Sequence, residues 1–206
     1  MACTLPLLDA AQRQEFDYPP EFTTPRRSFF FSLPEWTEPL LRAMTTPHIC
    51  DGFLLELGYF KASGRFFSAE RFAASDRAYV QHQYALGEVE WLRFERVASF
   101  RHRTLFLHHF GDVSFKEVQP QVLQQVTRFA RQQMNPVAVF RTTADYLLAH
   151  RWEVPTYAVL AGVGIEVFRI VEQQLTTQVA HLLTPALRQQ LDVLFTTETD
   201  EPAHAH

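Results

Sequence analysis

Residues 52–67, which read GFLLELGYFKASGRFF, decide the fold of this chain. Phe53, Leu57 and Phe60 recur at helical spacing on one stripe, and the other apolar side chains spread around the sides. A helix with so little polar surface is predicted to be mostly buried. We therefore expect a central helix over residues 48–62.

The rest of the chain also favours helices. Apolar residues at helical spacing are separated by short Pro, Gly, Ser or Thr signals, and no run alternates as a half-buried strand does. Further helices are predicted at residues 34–44, 69–72, 76–86, 89–97, 100–110, 120–133, 136–151, 155–183 and 184–195. The predicted fold class is all-α, a multi-helix bundle in two helical subdomains. A three-residue break separates the first two long helices, which makes them a helix-turn-helix candidate.

Small residues mark the predicted helix ends. Gly64, Gly87 and Gly111 follow helical segments, where left-handed C-caps are typical. Ser75 and Ser99 precede helical segments and are predicted N-caps.

Composition excludes several classes of protein. The chain is 47% hydrophobic and has 19 phenylalanines, which indicates a packed domain rather than a disordered one. Two cysteines make neither a disulfide framework nor a CxxC metal pair, so we expect a cytoplasmic protein. No apolar run approaches the roughly 20 residues that span a bilayer, so no membrane segment is predicted. The scattered histidines and carboxylates predict no metal, cofactor or catalytic site.

Charge leaves a nucleic-acid partner open. The net charge of −4 argues against phosphate binding, but residues 26–116 carry +2 and both flanking segments carry −3. Residues 93–103 read RFERVASFRHR, a local +3. Arginine suits phosphate and guanine edges, although arginines also serve ordinary surface ion pairs. On the helix from Phe100, the helical turn predicts Phe100 on the packed side and His102 on the side that can face phosphate.

Several segments together resemble one family. Residues 52–67 closely resemble the GFLLQLGYFKATGRFF signature in the N-terminal region of transposases of the Tn-three (gamma-delta) family of replicative transposons, a region also catalogued as a domain of unknown function. Further matches follow in the same order: residues 32–36 resemble a TLPDW-like start, 101–111 an R-H-R…LG segment, 155–160 a P-x-Y-x-x-L helix start and 183–192 an LT…R…LD close. The likeness covers about residues 8–194.

The resemblance implies a DNA-binding region that helps a transposase recognise terminal inverted repeats through helix-turn-helix-like modules. The family's catalytic DDE carboxylates lie far downstream, so the resemblance implies no catalysis by this chain. The expected partners are double-stranded DNA of the transposon ends, and the remainder of the transposase or a second copy. The expected organisation is a leader arm (1–31), a helical DNA-binding subdomain (32–113), a second helical subdomain with the long helix (114–196) and a flexible tail (197–206).

Nine side chains are the candidate DNA contacts. Arg26 and Arg27 resemble a basic arm, Lys61 and Arg65 flank the turn at Gly64, and the other five belong to the arginine cluster at residues 93–103. The candidates are Arg26, Arg27, Lys61, Arg65, Arg93, Arg96, Arg101, His102 and Arg103. The alternative reading of the chain is a protein-interaction or regulatory helical module that docks on a transposase or self-associates through the helix from Pro155.

Overall fold

The computed structural model describes residues 7–87, 89, 96–187, 189–190 and 193, with the backbone only for 96–98. Within these residues it contains helices, turns and two isolated bridges, but no strand, which confirms the all-α prediction. The α-helices are α1 (Ala10–Asp17), α2 (Thr24–Phe30), α3 (Glu38–Ala43), α4 (Pro47–Ser63), α5 (Ala74–Gln83), α6 (Arg96–Phe110), α7 (Phe115–Gln132), α8 (Pro136–Ala149) and α9 (Tyr157–Leu182). No helix of the described residues has both the length and the apolar character to cross a membrane.

Helix α4 is the centre of the N-terminal half. Every residue from Asp51 to Phe60 is buried, and α2, α5 and α6 pack around the helix. The predicted burial is therefore confirmed, and so is the left-handed C-cap, since Gly64 has a φ of 64°. The same burial changes the helix-turn-helix expectation for α3 and α4, because a helix surrounded by its own core has no free face to place in a DNA groove.

Helices α7, α8 and α9 form the C-terminal half. Their core is mainly aliphatic, with Val122, Val126 and Leu147 fully inaccessible to solvent or nearly so. Helix α7 contributes a stripe of buried residues to α8 and α9. Because such a stripe leaves the opposite face to water, α7 is amphipathic in a way that α4 is not.

Residues 7–31, which fall within the predicted leader segment, pack against both cores. Leu7 and Leu8 are buried in the C-terminal core, whereas Phe22 and Phe31 are buried in the N-terminal core. The segment forms α1 and α2 because it buries apolar side chains on both halves, and α1 packs against α9.

Two predicted N-caps are wrong, since both serines bond elsewhere. Ser99 lies within α6, and its Oγ donates to Glu56. Helix α5 begins after Ala73, while the Ser75 hydroxyl accepts from Arg27. The helix predicted at 89–97 lies almost wholly outside the described residues, and the described residues of the one predicted at 184–195 beyond Thr184 are helical.

The two halves meet along a seam. Isolated parallel bridges join Arg65 to Val154 and Val113 to Trp152. The amide of Val113 donates to the Arg151 carbonyl over 2.9 Å, and its own carbonyl accepts from the Glu153 amide over 2.9 Å. The backbone on both sides of this seam is thus hydrogen-bonded across it, which fixes the side chains that line it.

Candidate nucleic-acid interface

Arg27 is held inside the fold. Its Nε donates to Asp76 Oδ1 over 2.7 Å, and the Asp76 carboxylate also accepts from the Tyr59 hydroxyl over 2.8 Å. Burial, and then the Asp76 charge, raise the pKa of Tyr59 above its usual value, so the phenol stays protonated and donates. Arg27 therefore neutralises a buried carboxylate, and it is not part of an exposed basic arm.

Lys61 bonds to backbone at the end of α2. Its Nζ donates to the carbonyl of Ser32 over 2.7 Å and to the carbonyl of Phe29 over 3.3 Å. Desolvation lowers the pKa of this amine. A cation at the C-terminal end of a helix satisfies carbonyls that otherwise lack donors, which is a structural role.

Arg65 lies against aromatic rings at the seam. Its guanidinium carbon is 3.7 Å from the ring centroid of Phe16 and 5.1 Å from that of Phe67. Burial is the main cause that lowers the pKa of Arg65, to about 10, while Asp17 acts in the opposite direction. Lys61 and Arg65 flank Gly64 as the sequence predicts, but both are partly withdrawn from solvent.

His102 is buried, which corrects the predicted faces of α6. The side chain is 3% exposed, and its Nδ1 lies 2.7 Å from Glu56 Oε2. Phe100 is instead 69% exposed. The helix has this orientation because the buried carboxylate of Glu56 needs a hydrogen-bonding partner, and the His102 ring provides one inside the N-terminal core. His102 is not accessible to DNA in this conformation.

Arg103 belongs to the seam. Its Nη2 lies 2.6 Å from Glu153 Oε2, and the same oxygen accepts from the amide of Phe115 over 3.1 Å. Glu153 is 3% exposed, so this charge-assisted pair connects α6 to the segment before α9 in a shielded environment.

The other candidates divide into two groups. Arg93 lies outside the described residues, as does the side chain of Arg96, whose backbone begins α6. Arg26 and Arg101 are exposed, and neither forms an ion pair with a described residue. The guanidinium carbon of Arg26 lies 5.7 Å from the ring centroid of Phe30.

A groove between α6 and the start of α7 collects exposed polar and aromatic groups near Arg101. Its volume is 490 Å³, and its lining residues are Phe100, Arg103, Thr104, Leu107, His108, Asp112, Ser114, Lys116 and Glu117. Arg101, Thr104 and His108 share one stripe of α6 by helical spacing. Lys116 on α7 is exposed and has no ion pair with a described residue. We call this set of residues together with Arg101 the α6–α7 surface.

Sequence reasoning missed Lys116 and Phe100 as surface groups. Lys116 is one of only two lysines, but nothing in the sequence indicates that the α6–α7 turn brings it to α6. Phe100 fits the apolar periodicity, which predicts it on the packed side. The charges are mixed, since Asp112 also lines the groove, where it pairs with Arg151 over 3.1 Å. Within the described residues no cluster of His, Cys, Asp or Glu could hold a metal ion.

Comparison with known proteins identifies the family alone. No curated protein matches the chain. Residues 7–167 match a family described as a domain of unknown function, DUF4158. The match covers both cores and the seam, and it ends within α9 near the last buried residue of that helix, Val171. The chain therefore belongs to the DUF4158 family.

Proposed function

We propose that this chain is a non-catalytic DNA-binding domain of a transposase, which recognises transposon terminal inverted repeats in the cytoplasm and works with the remainder of that transposase. The resemblance of residues 52–67 to the Tn-three signature supports an origin in a transposase. Membership of DUF4158 agrees with the resemblance in one respect, which is that the similar region is a domain of unknown function. An origin in a transposase makes duplex DNA the natural ligand.

The observation that carries the proposal is the contrast between basic side chains that have a carboxylate partner and cations that have none among the described residues. Arg27, Arg103 and His102 have carboxylate partners, whereas Arg101 and Lys116 on the α6–α7 surface have none among the described residues. Unpaired cations beside an exposed aromatic ring favour a phosphate backbone, because the cations need no competing bond to be broken. Arg101 and Lys116 would set the register on phosphates, and Phe100 would contact the sugar or a base edge.

Fluorescence anisotropy with a duplex carrying the terminal repeat tests the proposal. We expect binding that is tighter than to a scrambled duplex and that weakens as salt rises. The Arg101→Ala/Lys116→Ala variant is expected to reduce the slope of log K against log salt by about 2, since each lost phosphate contact contributes about 0.9.

Arg128→Ala is the matched control, because Arg128 is also exposed and also without an ion pair among the described residues, but lies on α7 away from the groove. Equal affinity for both duplexes, or no binding, overturns the proposal. If Arg128→Ala weakens DNA binding as much as the double variant does, the α6–α7 surface does not have the role proposed for it.

A second candidate function, protein association, rests on the end of α9. From Glu172 to Leu182 every side chain is exposed, and Leu175, Val179 and Leu182 form an apolar stripe at helical spacing. An exposed apolar stripe is typical of a helix that docks on another protein surface. Light scattering of the wild type and of Leu175→Gln/Val179→Gln tests self-association; a monomer in both cases excludes a second copy as the partner.

A further inference from the structure

A small cleft at the seam holds two arginines that lack anionic partners. It has a volume of 340 Å³ and is lined by Leu8, Gln12, Glu15, Phe16, Arg65, Phe140 and Arg141. Helices α1 and α8 supply most of these residues, and Arg65 enters from the segment after α4. Ligand clefts commonly lie where two packed units meet, and a cleft of 340 Å³ falls at the small end of the usual range of about 300–1,000 Å³.

The guanidinium of Arg65 makes no hydrogen bond to any described residue. Its Nε is buried without a partner, while the guanidinium stacks 3.7 Å above Phe16. A buried donor with no acceptor costs folding free energy, and a charged one costs more. The fold nevertheless holds this planar group in place at a wall of the cleft.

Asp17, whose charge acts on Arg65, is engaged by other groups. Asp17 raises the pKa of Arg65 by its charge, but its carboxylate pairs with Arg71 over 3.4 Å and with Arg13 over 3.6 Å. Its Oδ1 accepts from the Tyr157 amide over 3.3 Å. Asp17 is thus already shared among three donors, none of which is Arg65.

Arg141 supplies a second unpaired cation. It is exposed on α8 and forms no ion pair with a described residue, and it lines the same cleft as Arg65. The one acid of the cleft is Glu15, whose side chain is exposed and therefore screened by water. Two guanidinium groups outweigh one carboxylate, and Gln12 adds an amide that can donate.

We propose that the seam cleft binds a small oxyanion between Arg65 and Arg141. A phosphate or a carboxylate group fits, because the planar fork of arginine donates two parallel hydrogen bonds to either. Phe16 and Phe140, whose rings are 4.9 Å apart, provide an apolar wall for the body of the ligand. This site is separate from the α6–α7 surface and does not depend on DNA binding. Arg65 also lines a second, larger groove of 880 Å³.

Thermal unfolding of the full chain tests the site with inorganic phosphate and with citrate, each against sodium chloride at equal ionic strength. A bound anion is expected to raise the Tm by about 3–6 °C when its concentration is ten times its Kd. Phosphate and citrate also stabilise proteins by exclusion from the surface, so the decisive quantity is the rise that a variant loses. A rise in Tm with only one of the two anions identifies the class of oxyanion, and a rise with both shows that the cleft accepts either class.

Arg141→Ala and Arg65→Met are the informative variants. Arg141 is exposed, so its loss is expected to leave the fold intact and remove the anion-specific rise. Arg65→Met keeps an apolar stem against Phe16 and removes a desolvated charge, so its Tm without anion is expected to equal or exceed that of the wild type. The control variant Arg128→Ala is expected to keep the anion-specific rise in Tm.

Two results overturn the proposal. One is a rise in Tm of the same size in Arg141→Ala, Arg65→Met and the wild type, which means that the anions stabilise the protein only by exclusion from its surface. The other is protection by a short DNA duplex that requires Arg65, with none from either small anion, which assigns Arg65 to nucleic acid instead. Failure of the DNA proposal itself leaves the anion-specific rise unaffected, so the two proposals fail separately.

Discussion

The two halves of the molecule are stabilised in different ways. The N-terminal core is rich in aromatic rings and encloses Asp51, Glu56, Asp76 and His102, all almost inaccessible to solvent. The C-terminal core is mainly aliphatic, and the buried polar residues of its segments are Thr143 and Glu153. The N-terminal half thus depends on several buried polar groups keeping their partners, whereas the C-terminal half contains one such carboxylate, Glu153, and otherwise tolerates change as long as volume is kept. Arg27, which pairs with the buried Asp76, is therefore needed for the fold itself.

Removal of a buried carboxylate from the N-terminal half is expected to have the largest effect. Asp76→Ala leaves Arg27, whose side chain is 16% exposed, and the Tyr59 hydroxyl without their shared acceptor. Breaking such a buried pair costs about 3–5 kcal/mol in the free energy of unfolding. Urea denaturation measures the loss.

The control for Asp76→Ala is Asp145→Ala in the C-terminal half, where the carboxylate is exposed. It is expected to change the free energy of unfolding by no more than about 0.5 kcal/mol. If both variants lose the same amount, the buried charges do not distinguish the two halves.

Substitutions at two helical glycines are expected to change the stability by smaller amounts and with opposite signs. A Cβ at Gly58 in α4 would lie 2.2 Å from Cδ1 of Phe31, whereas one at Gly162 in α9 would meet nothing within 4 Å. Gly58→Ala is expected to destabilise the protein by about 1–3 kcal/mol through overpacking. Gly162→Ala is expected to stabilise it by about 0.5–1 kcal/mol, because alanine loses less entropy in a helix.

Chemical denaturation of both glycine variants checks this contrast, and a third variant checks its cause. Adding Phe31→Leu to Gly58→Ala is expected to cost less than the sum of the single changes, because the smaller side chain makes room for the new methyl group. Strict additivity would mean that the Phe31 ring is not what excludes a side chain at Gly58.

The same contrast explains what the sequence could predict. Apolar residues around the whole circumference predict α4, and Gly64 and Gly111 directly follow α4 and α6 with a positive φ, as predicted. These are local signals, which a single sequence contains. The predicted C-cap at Gly87 is wrong, because α5 already ends at Gln83 with Tyr84 as its C-cap.

The candidate site was harder to predict, since it depends on which partner each polar group finds. His102 and Phe100 exchanged their expected places because the carboxylate of Glu56, 46 residues earlier in the chain, lies inside the core. Ser99 and Ser75 likewise bond to residues far away in sequence instead of capping helices. Helical spacing carries no information about such long-range pairs.

The smallest expected effect concerns Asp51, the buried carboxylate of the N-terminal half with an incomplete set of partners. Its Oδ2 accepts from Gln81 over 2.7 Å, but its Oδ1 is buried without a partner. Burial raises the pKa of Asp51 above its usual value of 3.8, and the Gln81 hydrogen bond and the Arg77 charge oppose this only in part. The folded state therefore holds this proton more tightly than the unfolded state does.

As the pH rises from 3.8 through the raised pKa, ionisation of Asp51 lowers the stability of the fold. Asp51→Asn removes the ionisation, so unfolding free energies of the two proteins, measured from about pH 4 to pH 7, are expected to diverge in favour of the variant as pH increases. Parallel curves for the two proteins would show that Asp51 is as well solvated as an exposed carboxylate, and would remove it from the set of charges that set the N-terminal half apart.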